Sequence, residues 1–223
     1  MVQSEGSQLK DSAACLLASR DEINHIYVTG ILKAVQNHIS ITNNMHLLEI
    51  GCGGGLFTNY LNRMCTVTGI DISEESLKNN LVKNTCKMDV RNLGFPDKSF
   101  DISFCHAVLH HVEDLAESIG EMTRVTRQYL VIIEPNRFHL VNFLLALVNP
   151  EERQLLGFAI RDIMRFAEKF DFHQTALFPM GLIPPSITPR SLIPILPGTN
   201  FKQPFGWDQV LIMEKEKTPF NQS

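Results

Sequence analysis

Glu49 stands directly before a turn in which four of the five residues from Gly51 to Gly55 are glycine, with only Cys52 between them. So bare a backbone marks close approach to a ligand or a tight turn. Further along the chain Asp71, Asp89, Cys105, His106 and Glu134 each fall at the end of an apolar run, and His110 and His111 follow shortly after His106. Carboxylates at such positions accept hydrogen bonds from ligand hydroxyls and amines, and imidazoles can take protons or bind metal. A dinucleotide would require G-x-G-x-x-G, yet Leu56 or Thr58 occupies the third glycine place, depending on whether the count starts at Gly51 or Gly53. The charge of Glu49 would also repel a phosphate. The turn suits a cofactor that is cationic and carries no phosphate.

These residues need a scaffold, and the hydrophobic spacing predicts one. Val28, Ile31, Leu32, Val35 and Ile39 recur at helical spacing ahead of a first strand, "HLLEI". After the glycines, Leu56, Tyr60 and Met64 on one row and Phe57 and Leu61 on the next predict a helix. "CTVTGID" predicts a second strand, then a helix capped by Ser73 with Leu77 and Leu81 as its apolar face. "NTCKMDV", "FDISFC" and "YLVIIEP" continue the series, with a helix through Leu115, Ile119, Met122 and Val125 before the last of them. Strands alternating with helices predict a parallel sheet covered on both faces, whose ligands bind beyond the carboxyl ends of the strands. Ile160, Ile163, Met164, Ala167 and Phe170 predict one more helix, and "HQTALF" and "DQVLIMEK" two closing strands. Two apolar pieces fall outside the alternation and read as lid-like insertions: a broken helix near 137–158 and a proline-rich irregular loop near 181–203.

Composition narrows the function classes. A 44% apolar chain of this length predicts one domain over 21–223, preceded by a loosely held polar segment over 1–20. The net charge of -4 disfavours nucleic-acid partners, which draw a basic surplus. The five scattered cysteines form no C-x-x-C pair and are expected to be reduced thiols in a cytoplasmic protein. No signal peptide is expected, and "HLVNFLLALV" is too short to span a membrane. His106 and His110 have the spacing of a metal pair, but no third ligand matches it, so no metal is expected.

S-adenosylmethionine is cationic and phosphate-free, and the chain resembles the class I S-adenosylmethionine-dependent methyltransferases of the type-11 domain family. The resemblance rests on Glu49, Gly51, Gly53 and Gly55 in an E/D-x-G-x-G-x-G motif, on Asp71, on "DVRNLGFPDKSFD" with Gly94 in place of a proline, and on "HAVLHHVED". It covers roughly 45–135. It implies a Rossmann-like α/β fold, a doubly wound, mostly parallel seven-stranded sheet with the last strand antiparallel and helices on both faces. It also implies that Glu49 holds the methionine amino group while the backbone of Gly51, Cys52, Gly53 and Gly55 passes beneath the methionyl part and ribose. Asp71 would take the ribose diol, Ile72 the adenine face, and Asp89 with the Val90 amide the adenine edge. The backbone near Cys105 and His106 would line the methyl, and the product would be S-adenosyl-L-homocysteine.

The sulfonium is already a good leaving group, so a base is needed only for a weak nucleophile; His110 is the expected catalytic residue, with Tyr27 a remote candidate. The place after the fourth strand reads "CHAV" rather than the D/N-P-P-Y/F run of adenine, cytosine and glutamine N-methyltransferases of this fold. A small-molecule acceptor, hydrophobic given the two apolar insertions, is therefore expected, without stable membrane insertion. The alternatives are a cofactor-binding but catalytically idle partner protein, or a protein or RNA methyltransferase.

Overall fold

The computed structural model describes residues 22–181, 191, 194 and 205–216. Helix α1, over 22–36, precedes β1 (His46–Ile50); α2 (Thr58–Leu61), β2 (Thr66–Asp71), α3 (Glu74–Lys78) and β3 (Thr85–Lys87) follow. Next come β4 (Phe100–His106), α4 (Leu115–Val125), β5 (Thr126–Pro135), α5 (Leu140–Val148), α6 (Ile160–Glu168), β6 (Phe172–Met180) and β7 (Asp208–Lys215). The strands form one seven-stranded sheet in the order β3-β2-β1-β4-β5-β7-β6. β1 pairs in parallel with β2 and β4, and only β7 runs antiparallel, to both β5 and β6. The strand order reverses between β1 and β4, where a doubly wound sheet opens its ligand crevice.

Alternation along the central strands builds two cores. Leu47, Val131 and Ile133 face Val28, Ile31 and Val35 of α1, whereas Leu48, Leu130 and Ile132 face Ile119 and Met122 of α4 and Ile163 of α6. Both faces are buried, which explains why the central strands read as continuous apolar runs. The expected segment 1–20 lies outside the described residues, as does the loop near 181–203 except at 181, 191 and 194.

Three local expectations change. The helix after the glycine turn is a single turn that buries Phe57 and Leu61 but leaves Leu56 exposed. Ser73 caps α3 as expected, its side chain accepting from the Ser76 amide. That helix, however, stops at Lys78 and Leu81 is 77% exposed, because five residues are too few to carry the apolar row that far. The insertion near 137–158 is the helix α5 and a 3-10 segment, Pro150–Leu156, with the reverse of the usual amphipathicity. α5 buries Asn142 and Ala146, one turn apart, and exposes Leu140, Phe143, Leu144, Leu147 and Val148. Asn142 earns its buried place by donating to the carbonyls of Asn136 (3.0 Å) and Trp207 (2.8 Å), which ties the helix to the start of β7.

Candidate active site

The glycine turn leaves β1 through Gly51, whose φ is +68°. A Cβ there would stand 2.1 Å from Val108 Cγ2, so the position tolerates only glycine, and the turn can pass tightly under the segment that follows β4. Glu49 sits just before it, 3% exposed. Thr58, at the start of α2, hydrogen-bonds its carboxylate through hydroxyl and amide, but Oε2 has no hydrogen-bond partner among the described residues. Burial outweighs those bonds and pushes the Glu49 carboxyl up to about 8. A buried carboxylate with an oxygen left over is completed by a cation.

Asp71, at the end of β2, accepts from the Gly53 amide through Oδ2 and from the Ser73 amide through Oδ1, both at 2.8 Å. Each oxygen keeps a further lone pair, so the carboxylate is oriented and still able to take a diol. Ile72 is 65% exposed beside it, an apolar surface for a flat ring. Asp89 is held by Arg91, whose guanidinium and amide keep its carboxyl below the ordinary range.

A cavity of about 480 Å³ gathers Gly51, Asp71, Ile72, Asp89, Val90 and His106 into one wall system, within the size range of small-molecule sites. Other expected residues stand apart from it. Cys52, Gly53 and Gly55 line an adjoining hollow that shares Gly51 with the first cavity. The Cys105 side chain is wholly buried, 4.0 Å from Glu134, and lines neither; only its backbone is near.

A second cavity, of about 520 Å³, lies beyond the β4 end and shares His106, Ala107 and His111 with the first. His110 lines it, with Tyr27 from α1, Leu145 of α5, Leu155 and Asp208. Glu134 organises this wall from below: Oε1 accepts from the Val108 (3.1 Å) and Leu109 (2.8 Å) amides, and Oε2 meets His110 Nδ1 at 2.5 Å. Since a carboxylate only accepts, Nδ1–H donates to Glu134, and Nε2 is the ring nitrogen left over. On the opposite wall Tyr27 donates to Asp208 Oδ2 at 2.6 Å and meets His106 Nε2 at 2.7 Å. Burial pushes His106 down to about 4 and Asp208 up to about 7. His106 is thus neutral near neutral pH, and its Nε2–H donates to the tyrosine oxygen.

Sequence reasoning missed Thr58, Asp208 and Glu152. Thr58 stood only as a failed glycine, Asp208 as the first residue of a closing strand, and Glu152 only as part of the broken helix near 137–158. A buried polar side chain at a helix or strand start is the one signal that marks the first two.

The sheet order, the tight glycine turn and an acid after β2 are those of a class I S-adenosylmethionine-dependent methyltransferase domain, whose cofactor is S-adenosyl-L-methionine. Residues 48–132 match the Methyltransferase domain family. The residues present fit that cofactor: the unpartnered Glu49 oxygen complements an ammonium, Asp71 a diol and Ile72 a ring face. The ubiquinone biosynthesis O-methyltransferase of Rickettsia bellii is 31% identical over 104 residues, 43% of this chain and 43% of that protein. The phosphatidylethanolamine N-methyltransferase of Cereibacter sphaeroides is 32% identical over 102 residues, 41% of this chain and 50% of that protein. The similarity therefore spans half or less of these curated relatives. A methyltransferase structure from Archaeoglobus fulgidus shares the fold at a TM-score of 0.65 and 19% identity, covering 88% of this chain and 94% of that one. No helix among the described residues is long and apolar enough to cross a membrane.

Proposed function

We propose that the chain transfers a methyl group from S-adenosylmethionine in the first cavity to a hydroxyl of a hydrophobic small molecule in the second. The observation that carries this reading is the wall the two cavities share, His106, Ala107 and His111, where donor and acceptor can meet. Bound there, the cofactor supplies an activated methyl on its sulfonium, so catalysis needs mainly alignment and exclusion of water.

The residues divide this work. Glu49, Asp71, Ile72, Asp89 and the Val90 amide orient the donor, and the Gly51 to Gly55 backbone lets it lie close. Ala107, at a φ of +52°, turns the chain sharply between the cavities. On the acceptor side His110, fixed by Glu134, is the catalytic residue nearest the shared wall. An acceptor hydroxyl that loses its proton has two destinations, His110 Nε2 and, through Tyr27, Asp208. Support for a hydrophobic acceptor comes from Leu145, Leu155 and Trp207 in the cavity wall, from the exposed leucines of α5, the helix that supplies Leu145, and from the relatives, a ubiquinone biosynthesis O-methyltransferase and a phosphatidylethanolamine N-methyltransferase.

Methyl-labelled cofactor incubated with the protein and with extracts split into lipid, small-metabolite, protein and RNA fractions tests the reading. Label should enter the lipid or small-metabolite fraction as an alkali-stable ether; label confined to protein or RNA would overturn it.

A further inference from the structure

His110 does not face the second cavity alone. Its Nε2 lies 3.7 Å from Glu152 Oε2, too far for a hydrogen bond, and its ring centroid lies 3.9 Å from that of His111. One ligand atom from each of His110, His111 and Glu152 falls within 4.8 Å of the others. The Glu134 contact at Nδ1 leaves Nε2 facing the Glu152 carboxylate. An imidazole nitrogen and a carboxylate oxygen across such a gap are two ligand atoms that one cation can bridge.

We infer that His110, His111 and Glu152 form a site for one divalent transition-metal ion of the zinc class at the head of the second cavity, with Glu134 orienting His110 from behind. Two imidazoles and one carboxylate suit zinc, cobalt, manganese or iron, whereas magnesium and calcium prefer oxygen alone. Three protein ligands leave one position open, the arrangement of metal sites that take water or substrate. The carboxylate on the far nitrogen of His110 is the outer partner such a ligand requires. His110 is buried and fixed, while His111 is exposed and Glu152 half-buried, so any adjustment to bonding distance falls to those two side chains.

The cluster escaped the sequence because the expected partner of His110 was His106, which is held by Tyr27 on the other wall. The third ligand comes from the insertion after α5, more than forty residues away in the chain. The role of the ion rests on the reading of the second cavity as the acceptor's: the open position would take the acceptor oxygen, leaving Asp208 as the proton's destination.

The test uses the untagged full chain, stripped with chelator and titrated with cobalt(II) while the visible ligand-field bands are followed. One equivalent should bind with bands of low coordination number. Glu152→Gln and His111→Gln should each weaken binding by about tenfold or more. His173→Gln, at a remote surface pair with Glu216, should leave the titration unchanged. Failure of the unmodified chain to bind cobalt, or equal affinity in Glu152→Gln and His111→Gln, overturns the site. Methyl transfer by chelator-stripped protein also overturns it, and leaves the methyl-transfer reading standing.

Discussion

Glu49 offers the sharpest test of the proposed cofactor site, because its carboxyl is raised from 4.5 to about 8 with no cation beside it among the described residues. A folded-state value above the unfolded one means that Glu49 favours folding in its protonated form. That contribution is complete below about 4.5, declines as pH rises, and is exhausted once pH passes about 8. The span corresponds to about 5 kcal/mol at 1.36 kcal/mol per pH unit. Near pH 7 roughly nine-tenths of the groups are protonated in the free protein. An ammonium brought against the unpartnered oxygen stabilises the charged form and pulls the value back down, so cofactor binding expels the proton. Calorimetry of S-adenosylhomocysteine binding at pH 7, repeated in buffers of different ionisation enthalpy, should therefore show release of about 0.9 proton. The logarithm of the affinity should climb by about one per pH unit between roughly pH 5.5 and 7.5. Glu49→Gln should bind more weakly, release no proton and show a flat profile. Denaturant unfolding should show the unmodified, cofactor-free protein losing about 1.4 kcal/mol per pH unit relative to the variant over the same range. Zero proton release by the unmodified protein would refute the placement of the amino group at Glu49.

Asp71→Ala should weaken cofactor binding by about 1.5 to 3 kcal/mol in the same calorimeter, the loss expected for charge-assisted hydrogen bonds; unchanged affinity would remove Asp71 from the site. Gly51→Ala should lower both melting temperature and cofactor affinity, since its Cβ would overlap Val108 and its φ is positive; a variant with normal melting and binding would show that the turn is not tight. Leu144→Ser with Leu147→Ser should change stability by less than about 1 kcal/mol, both positions being half exposed, while raising KM for a hydrophobic acceptor; a large fall in melting temperature would mean that α5 is covered core. Asp208→Asn should remove an ionisation near pH 7 from the rate profile of the acceptor reaction, and an unaltered profile would exclude Asp208 as the proton's destination.

The parallel half of the sheet was legible because its chemistry and its packing share the same short segments. In "LLEIG", Leu47 and Leu48 enter opposite cores while Glu49 and Gly51 begin the candidate site directly after them, so hydrophobic alternation and the proposed cofactor residues are read in one pass. The Ser73 cap and the α4 row at Ile119, Met122 and Val125 were equally local. What local pattern did not give was helix length: α3 ends before Leu81, since Asn79 and Asn80 close the helix and Asn80 turns back to the Gly53 carbonyl and Thr58. Cys105 was placed at its strand end by the same local pattern, and strand alternation sends its thiol into the core, leaving only its backbone for the role expected of it.

The acceptor side was illegible for a different reason. Tyr27 from α1, His110 after β4, Glu152 beyond α5 and Asp208 at β7 are separated by tens of residues, and no spacing rule links them. Their common origin is the sheet order: placing β5 beside β4 and β7 beside β5 brings the carboxyl end of β4 against the amino end of β7. α5 then covers that corner with Asn142 and Leu145, and Asn142 is buried there because the groups to be satisfied are the carbonyls of Asn136 and Trp207. Leu140, Leu144 and Leu147 are left exposed. A helix whose polar residue faces inward and whose apolar residues face outward is costly in water unless the apolar face meets something. If the second cavity takes the acceptor, as proposed, that exposed face favours one with enough apolar area to cover it, a preference that would belong to α5 and not to the cofactor half of the domain.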